Sequence, residues 1–152
     1  MISVDHAHLD LVQTAARLYN LDPALVCAVC EQESGWDPWA IRYEAKFFEH
    51  YVQPLLTNGS IKTFTEGRAR AFSWGLMQVM GEVAREVGFS GKWLSQLCDP
   101  AIGIDLGCKV LRHKIDSNDG DIYSGLESYN GGGNPKYADE VLARVSKYKE
   151  TP

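Results

Sequence analysis

Nowhere in its 152 residues does this sequence run to about 18 consecutive apolar residues, so no segment reads as a membrane-spanning helix and membrane insertion is not expected. A block of positive charge is missing too. Lys and Arg number 15 against 20 Asp and Glu, a formal net charge of −5, and the densest basic stretch is the loose Gly67-Arg68-Ala69-Arg70. Phosphate backbones are held by a concentrated cationic face, so nucleic acid is not an expected partner, and anionic lipid headgroups gain nothing from such a chain. The first twenty residues carry acids and histidines where a secretory leader has a basic segment and then an uninterrupted apolar one. As written, the chain is not expected to carry an export address.

Cysteine is sparse, with four residues: Cys27, Cys30, Cys98 and Cys108. The first pair has the spacing of a redox motif, but it lies among helix formers and lacks the Trp-Gly-Pro setting and βαβ pattern of such sites. Zinc needs four well-aimed ligands, and no knuckle turn accompanies the second pair. Buried free thiols are the expectation, since free Cys packs as a small hydrophobe. His6 and His8 are two residues apart and face different sides of a helix, so they form no metal pair. The run Gly131-Gly132-Gly133 precedes a helix but lacks the strand and the Lys-Ser/Thr of a phosphate loop. Neither a metal nor an organic cofactor is expected.

The composition that remains is globular: 45% hydrophobic, 23% charged and 11% aromatic, at a length suited to one domain with one core. Apolar residues recur mostly at helical spacing. Leu9, Val12, Ala16 and Tyr19 predict an amphipathic helix over 4–20. Asp22-Pro23 supplies a cap and first-turn signal for a second helix, 24–34, closed by Gly35 and apolar on all sides from 24 to 30. Ile41, Ala45, Phe48 and Val52 predict a third helix over 40–56, and Asn58-Gly59 a turn with a short β-hairpin around it. Further helices are predicted over 76–87, from Asp99-Pro100 to about 116, over 121–130, and from Pro135 to about 148. The fold class is mostly α.

The stretch 26–40, Val-Cys-Ala-Val-Cys-Glu-Gln-Glu-Ser-Gly-Trp-Asp-Pro-Trp-Ala, places two glutamates at the tail of the most apolar helix. A carboxylate in a last helical turn meets the negative end of the macrodipole, where cations are favoured. Val26, Val29 and Cys30 precede Glu33 by seven, four and three residues, so Glu33 also lies along an apolar stripe. Burial and the helix end both raise its pKa toward the range of a general acid. A solvated helix end is the alternative, and periodicity does not separate Glu33 from Glu31 in a helix that is apolar all round.

Four ordered motifs, Glu33-Ser-Gly-Trp-Asp-Pro-Trp-Ala-Ile, Ser73-Trp-Gly-Leu-Met-Gln-Val-Met, Asp99-Pro-Ala-Ile-Gly-Ile-Asp-Leu-Gly-Cys-Lys-Val-Leu and Ser128-Tyr-Asn-Gly-Gly-Gly, resemble those of the soluble lytic transglycosylase (SLT) family, which is similar to goose-type lysozyme. The resemblance covers about residues 20–145 and implies a lysozyme-like single domain. It implies Glu33 as the catalytic acid and Ser34 as its neighbour, which helps hold the reaction centre. It further implies Gln78 and Met77 in the cleft, with the Gln78 amide available to an N-acetyl group, and Tyr129 and Asn130 beside the acid. Tyr129 and Tyr137 are the aromatics expected to touch glycan, and Trp36 is expected to begin the cleft wall. The chain departs from the family pattern in several places. Gly103 occupies a family Asn position, Ser128 and Gly131-Gly132 stand where the family has Ala and Ala-Gly, and residues 42–72 insert a helical and turn-rich lobe. Glu44 in that lobe is a candidate cleft residue, with an ion pair to Arg42 as its alternative.

What the resemblance implies is cleavage of the bond between N-acetylmuramic acid and N-acetylglucosamine in peptidoglycan glycan strands, leaving 1,6-anhydro ends. A hydrolysing muramidase on the same fold and a non-catalytic glycan-binding or phage-tail module are the alternatives. A monomer acting at the bacterial cell wall is expected. Delivery would then fall to phage-type release through a holin, carriage on a virion, or excision from a longer secreted protein.

Overall fold

The computed structural model describes residues 4–149. Helix α1 (His6–Leu18) begins at Asp5, whose carboxylate accepts the Ala7 N–H at 3.0 Å. Helix α2 (Pro23–Ser34) begins in the same way at Asp22, with Pro23 in the first turn, where its missing N–H costs nothing. Asp99 caps α7 (Pro100–Asp116) through the N–H groups of Ala101 and Ile102, and Asp121 caps α8 (Ile122–Asn130). Helix α9 (Tyr137–Lys149) closes the described chain. These five helices lie close to where their capping and periodicity signals predict them.

Helix α2 is the centre of the packing. Every residue from Ala24 to Cys30 is buried, and Val26, Ala28, Val29 and Cys30 are fully enclosed. It packs against α9 and α1, while α1 and α8 flank α7. All four cysteines are free thiols and buried; loss of hydration pushes Cys27 and Cys108 up to about 12, which makes them inert packing groups.

The region 40–87 departs from the periodicity reading. Residues 41–43 form a strand, β1 (Ile41–Tyr43), antiparallel to β2 (Phe72–Trp74), which in turn pairs with β3 (Val79–Met80). A strand of three residues fits a helical stripe as well as a sheet, and its partner lies thirty residues away, so local pattern cannot select it. The helical part starts only after Glu44, as α3 (Ala45–Phe47), a π-turn (Phe48–Val52) and α4 (Gln53–Thr57). Asn58-Gly59 makes no hairpin. It ends α4, with Asn58 N–H bonded to Pro54 O at 3.0 Å, and leads toward α5 (Phe64–Arg70). Phe48, Val52, Ile61 and Ala71 give this lobe its own small core, with the Arg68 guanidinium 4.0 Å over the Phe48 ring. The helix predicted from 76 begins only at Gly81, as α6 (Gly81–Glu86), because Gly75–Gln78 form a tight turn in which both Gly75 and Gln78 have positive φ.

A glycine pair fixes that turn. A Cβ on Gly75, whose φ is 71°, would stand 2.5 Å from the Leu97 carbonyl oxygen, and a Cβ on Gly103 would stand 2.5 Å from the same oxygen. This carbonyl belongs to a 3₁₀ segment (Leu94–Cys98) that leads into α7. The close approach gives a physical reason for glycine at position 103, where the family pattern has Asn.

Polar residues stitch α2 to α9. Glu31 accepts from Arg144 at 3.0 Å, from Lys147 at 2.9 Å, and from the Tyr148 hydroxyl. Gln32 donates to Glu140 at 2.8 Å and accepts from Arg144 at 3.0 Å. Burial pushes the Glu31 carboxyl up, but the Tyr148 hydroxyl, Lys147 and Arg144 outweigh it and hold the group below its ordinary value. Glu66, between Arg85 at 2.7 Å and Arg70 at 3.0 Å, is likewise held low against its burial.

Two outcomes are expected. Gly75→Ala and Gly103→Ala should each lose about 1–3 kcal/mol of stability in urea unfolding, since backbone rather than a flexible side chain must yield; unchanged midpoints would count against the close approach. Glu31 and Glu66 have depressed folded pKa values, so their contribution is complete above the ordinary value of 4.5 and disappears as pH falls through the folded values. Glu31→Gln should therefore cost about 1–2 kcal/mol near pH 7 and flatten the loss of stability between pH 5 and 3, as read from unfolding at stepped pH.

Candidate functional site

Glu33 stands in the last turn of α2, where Gly35 and Trp36, with φ of 59° and 68°, turn the chain sharply away. The αL residue at the helix end is an ordinary use of glycine, while Trp36 pays for that conformation with strain. Across from α2, the first residue of α9 donates to the acid: Tyr137 Oη lies 2.6 Å from Glu33 Oε1. Burial raises the Glu33 pKa, and the Tyr137 hydrogen bond and the Arg42 charge lower it only in part, so the net shift is upward. A carboxyl that is mostly enclosed yet opens on a cleft can hold a proton and give it to a bound molecule.

The cleft above Glu33 has a volume of about 660 Å³. Its floor carries Glu33, Ser73, Gln78 and Val79. One wall is the segment from α7 and α8 to α9, with Lys114, Ser128, Tyr129 and Asn130, and the other is built by Arg42, Glu44, Phe47 and Tyr51 of the inserted lobe.

Glu33, Glu44, Gln78, Tyr129 and Asn130 thus line one cleft, while Ser34, Met77 and Tyr137 support it from beneath. The Ser34 hydroxyl lies 2.8 Å from Leu76 O and 3.0 Å from Cys30 O, so it fastens the end of α2 to the turn at 75–78. Met77 is fully buried and belongs to the core rather than the cleft floor; only its carbonyl takes part, accepting from Tyr129 Oη at 2.6 Å. Tyr137 is 2% exposed, so it offers no ring face to a glycan and meets the acid instead. Gln78 lines the cleft but is committed internally. Its Nε2 donates to Ala40 O and Gly75 O, both at 2.9 Å, and its Oε1 accepts from Ser73 Oγ at 2.8 Å, which leaves one lone pair for anything else. Asn130, in the amide orientation that pairs donors with acceptors, accepts from Gly133 and Asn134 N–H and holds the glycine-rich turn. Glu44 pairs with Arg42 Nε at 2.5 Å, and both side chains are well exposed.

Trp36 does not begin the cleft wall. It is 7% exposed, and its Nε1 donates to Tyr148 Oη at 2.9 Å on the far side of α2. Sequence reasoning named Arg42 only as a partner of Glu44 and did not single out Phe47, Tyr51 or Lys114 as cleft residues. Phe47 and Tyr51 sit in an insertion whose path depends on long-range strand pairing, and Lys114 at the end of α7 carries no local signal of the cleft. Among the described residues, no group of three or more His, Cys, Asp or Glu side chains could hold a metal ion, and no helix is long and apolar enough to cross a membrane.

Two curated relatives, each called membrane-bound lytic murein transglycosylase C, come from Edwardsiella ictaluri (strain 93-146) and Shigella sonnei (strain Ss046). Each is 29% identical over 140 residues, covering 84% of this chain and 32% of the relative. The chain therefore spans about a third of the length of these relatives. No solved structure matches it. The sequence profile described as the transglycosylase SLT domain matches residues 10–150, nearly the whole length, and the chain belongs to that family.

Proposed function

We propose that this chain is a peptidoglycan lytic transglycosylase of the bacterial cell wall, cleaving the β-1,4 bond between N-acetylmuramic acid and N-acetylglucosamine with Glu33 as acid and then base. The observation that carries the reading is a mostly enclosed carboxyl, raised in pKa and hydrogen-bonded by Tyr137, that lines a cleft of about 660 Å³. Its proton goes to the glycosidic oxygen as the bond from that oxygen to the muramic acid C1 breaks. The substrate's acetamido oxygen takes C1, an accepted departure from two-carboxylate glycosidases. Glu33, now a carboxylate, removes the proton of the sugar's own 6-hydroxyl, whose oxygen attacks C1 and releases the acetamido group. The acid is regenerated, no water is consumed, and the product is a 1,6-anhydro end.

Tyr137 fits a positioning role. Its hydroxyl fixes one carboxyl oxygen, leaving the other for the substrate, and burial pushes its own pKa far up so that it stays a donor. The cleft holds a second carboxylate, Glu44, but the Arg42 guanidinium already occupies it. Activation of water, like that of the 6-hydroxyl, would then fall to Glu33, and the reaction product distinguishes the two.

Glu33→Gln should lower the release of soluble fragments from purified murein by at least about 10²-fold without loss of fold. Mass spectrometry of the wild-type digest should show muropeptides one water lighter than hydrolysed ones; hydrolysed ends throughout would make the enzyme a muramidase, and no fragments at all would remove the enzymatic reading. Activity that needs protonated Glu33 declines as pH rises through its raised pKa. Tyr137→Phe removes a bond that favours the carboxylate, so the falling limb of the kcat/KM profile should move to higher pH, with a roughly tenfold lower maximum from lost alignment.

A further inference from the structure

The inserted lobe supplies one entire wall of the cleft, and its surface there has a particular chemistry. Phe47 and Tyr51 lie one turn apart across the start of the π-turn, with ring centroids 4.9 Å apart and planes inclined by 44°. Phe47 is half-buried and Tyr51 is 61% exposed, and both line the cleft that holds Glu33. Their neighbours Phe48 and Val52 fill the lobe's small core, with Arg68 over the Phe48 ring, and Phe47 packs against that core. Phe47 is thus anchored from behind by the lobe, while Tyr51, in ring contact with it, stands exposed on the cleft wall.

We infer that Phe47 and Tyr51 form an additional saccharide-stacking subsite, in which the C–H face of one pyranose of the glycan strand rests on the Tyr51 ring, backed by Phe47. This rests on the glycan-cleaving reading of the cleft. A lone exposed aromatic needs no explanation, but two rings in contact on the wall of a cleft form an apolar patch of the kind found in ligand-binding grooves. Continuity with the cleft over Glu33 points to a covering group that belongs to the polymer cleaved there. The apolar C–H faces of a sugar suit the electron-rich faces of the rings, while its equatorial hydroxyls stay at the edge. The exposed Arg42–Glu44 pair on the same wall supplies donors and acceptors at that edge. The π-turn, rare in proteins and frequent at functional sites, lies where the wall meets the cleft. Residues 42–72 are also the departure from the family pattern, so this subsite distinguishes the chain from relatives with a short link.

The test separates binding from cleavage. In a Glu33→Gln background, calorimetric titration with glycan strands stripped of peptide should give about five- to tenfold weaker binding for Tyr51→Ala, while Tyr51→Phe and Tyr51→Trp stay within about twofold. In the Glu33 parent, Tyr51→Ala should raise KM on the same strands by a similar factor and leave kcat within about twofold. Equal binding by Tyr51→Ala overturns the subsite while leaving the cleavage reading intact. Tyr51→Phe as weak as Tyr51→Ala also overturns it, because the hydroxyl and not the ring face would then be the contact. If the Glu33→Gln protein binds no glycan and the parent releases no fragments, the cleavage reading has failed and the subsite fails with it.

Discussion

Every wall of the cleft is fastened to one four-residue turn, Gly75 to Gln78. Ser34 ties the end of α2 to Leu76 O, Tyr129 ties α8 to Met77 O, and the Gln78 amide reaches Ala40 O at the mouth of the inserted lobe. Gly75 N–H adds a second bond to the same Ala40 carbonyl at 2.8 Å. The turn is itself constrained, with two positive φ values and a backbone approach to Leu97 O that leaves no space for a side chain at position 75. Such strain persists only where surrounding contacts over-determine it, and here three elements and a lobe do so. Gln78 is therefore better understood as a bracket of the site than as a hand extended to substrate.

A second constraint acts on the proposed acid from the opposite side. The final turn of α2 carries Glu31, Gln32 and Glu33, and each is bonded to α9, through Arg144, Lys147 and Tyr148, through Glu140 and Arg144, and through Tyr137. Only the last of these contacts meets the cleft. The others fix the rotation and height of α9 against α2, which is what allows a phenol on one helix to sit 2.6 Å from a carboxyl on the other. Glu31, chemically the twin of Glu33, is shifted in the opposite direction, its carboxyl held low against burial by the Tyr148 hydroxyl, Lys147 and Arg144.

Much of this was legible in residue order. The Asp-Pro pairs marked two helix starts, the apolar run 24–30 marked the buried helix, and Glu33-Ser34 with three downstream motifs singled out the candidate acid from its twin. The failures share a cause. The strand at 41–43 and the contacts of Met77 and Tyr137 depend on partners about thirty residues away or more, and the delayed start of α6 on a turn packed against Leu97 O, and local periodicity carries no information about such partners. Asn58-Gly59 illustrates the same point. The dipeptide correctly announced a turn, but the chain used it to end a helix.

The inserted lobe joins shape to electrostatics. Burial disfavours ionisation of Glu33, which in the proposed mechanism suits the first proton transfer and hinders the second, where the same group would act as a base. Arg42, projecting from the lobe, lowers the Glu33 pKa through space without bonding to it, because its own partner is Glu44. A wall that shapes the cleft with Phe47 and Tyr51 thus also moderates the acid beneath it, and a shift of the lobe relative to α2 would change both the fit of a sugar and the proton affinity of the carboxyl.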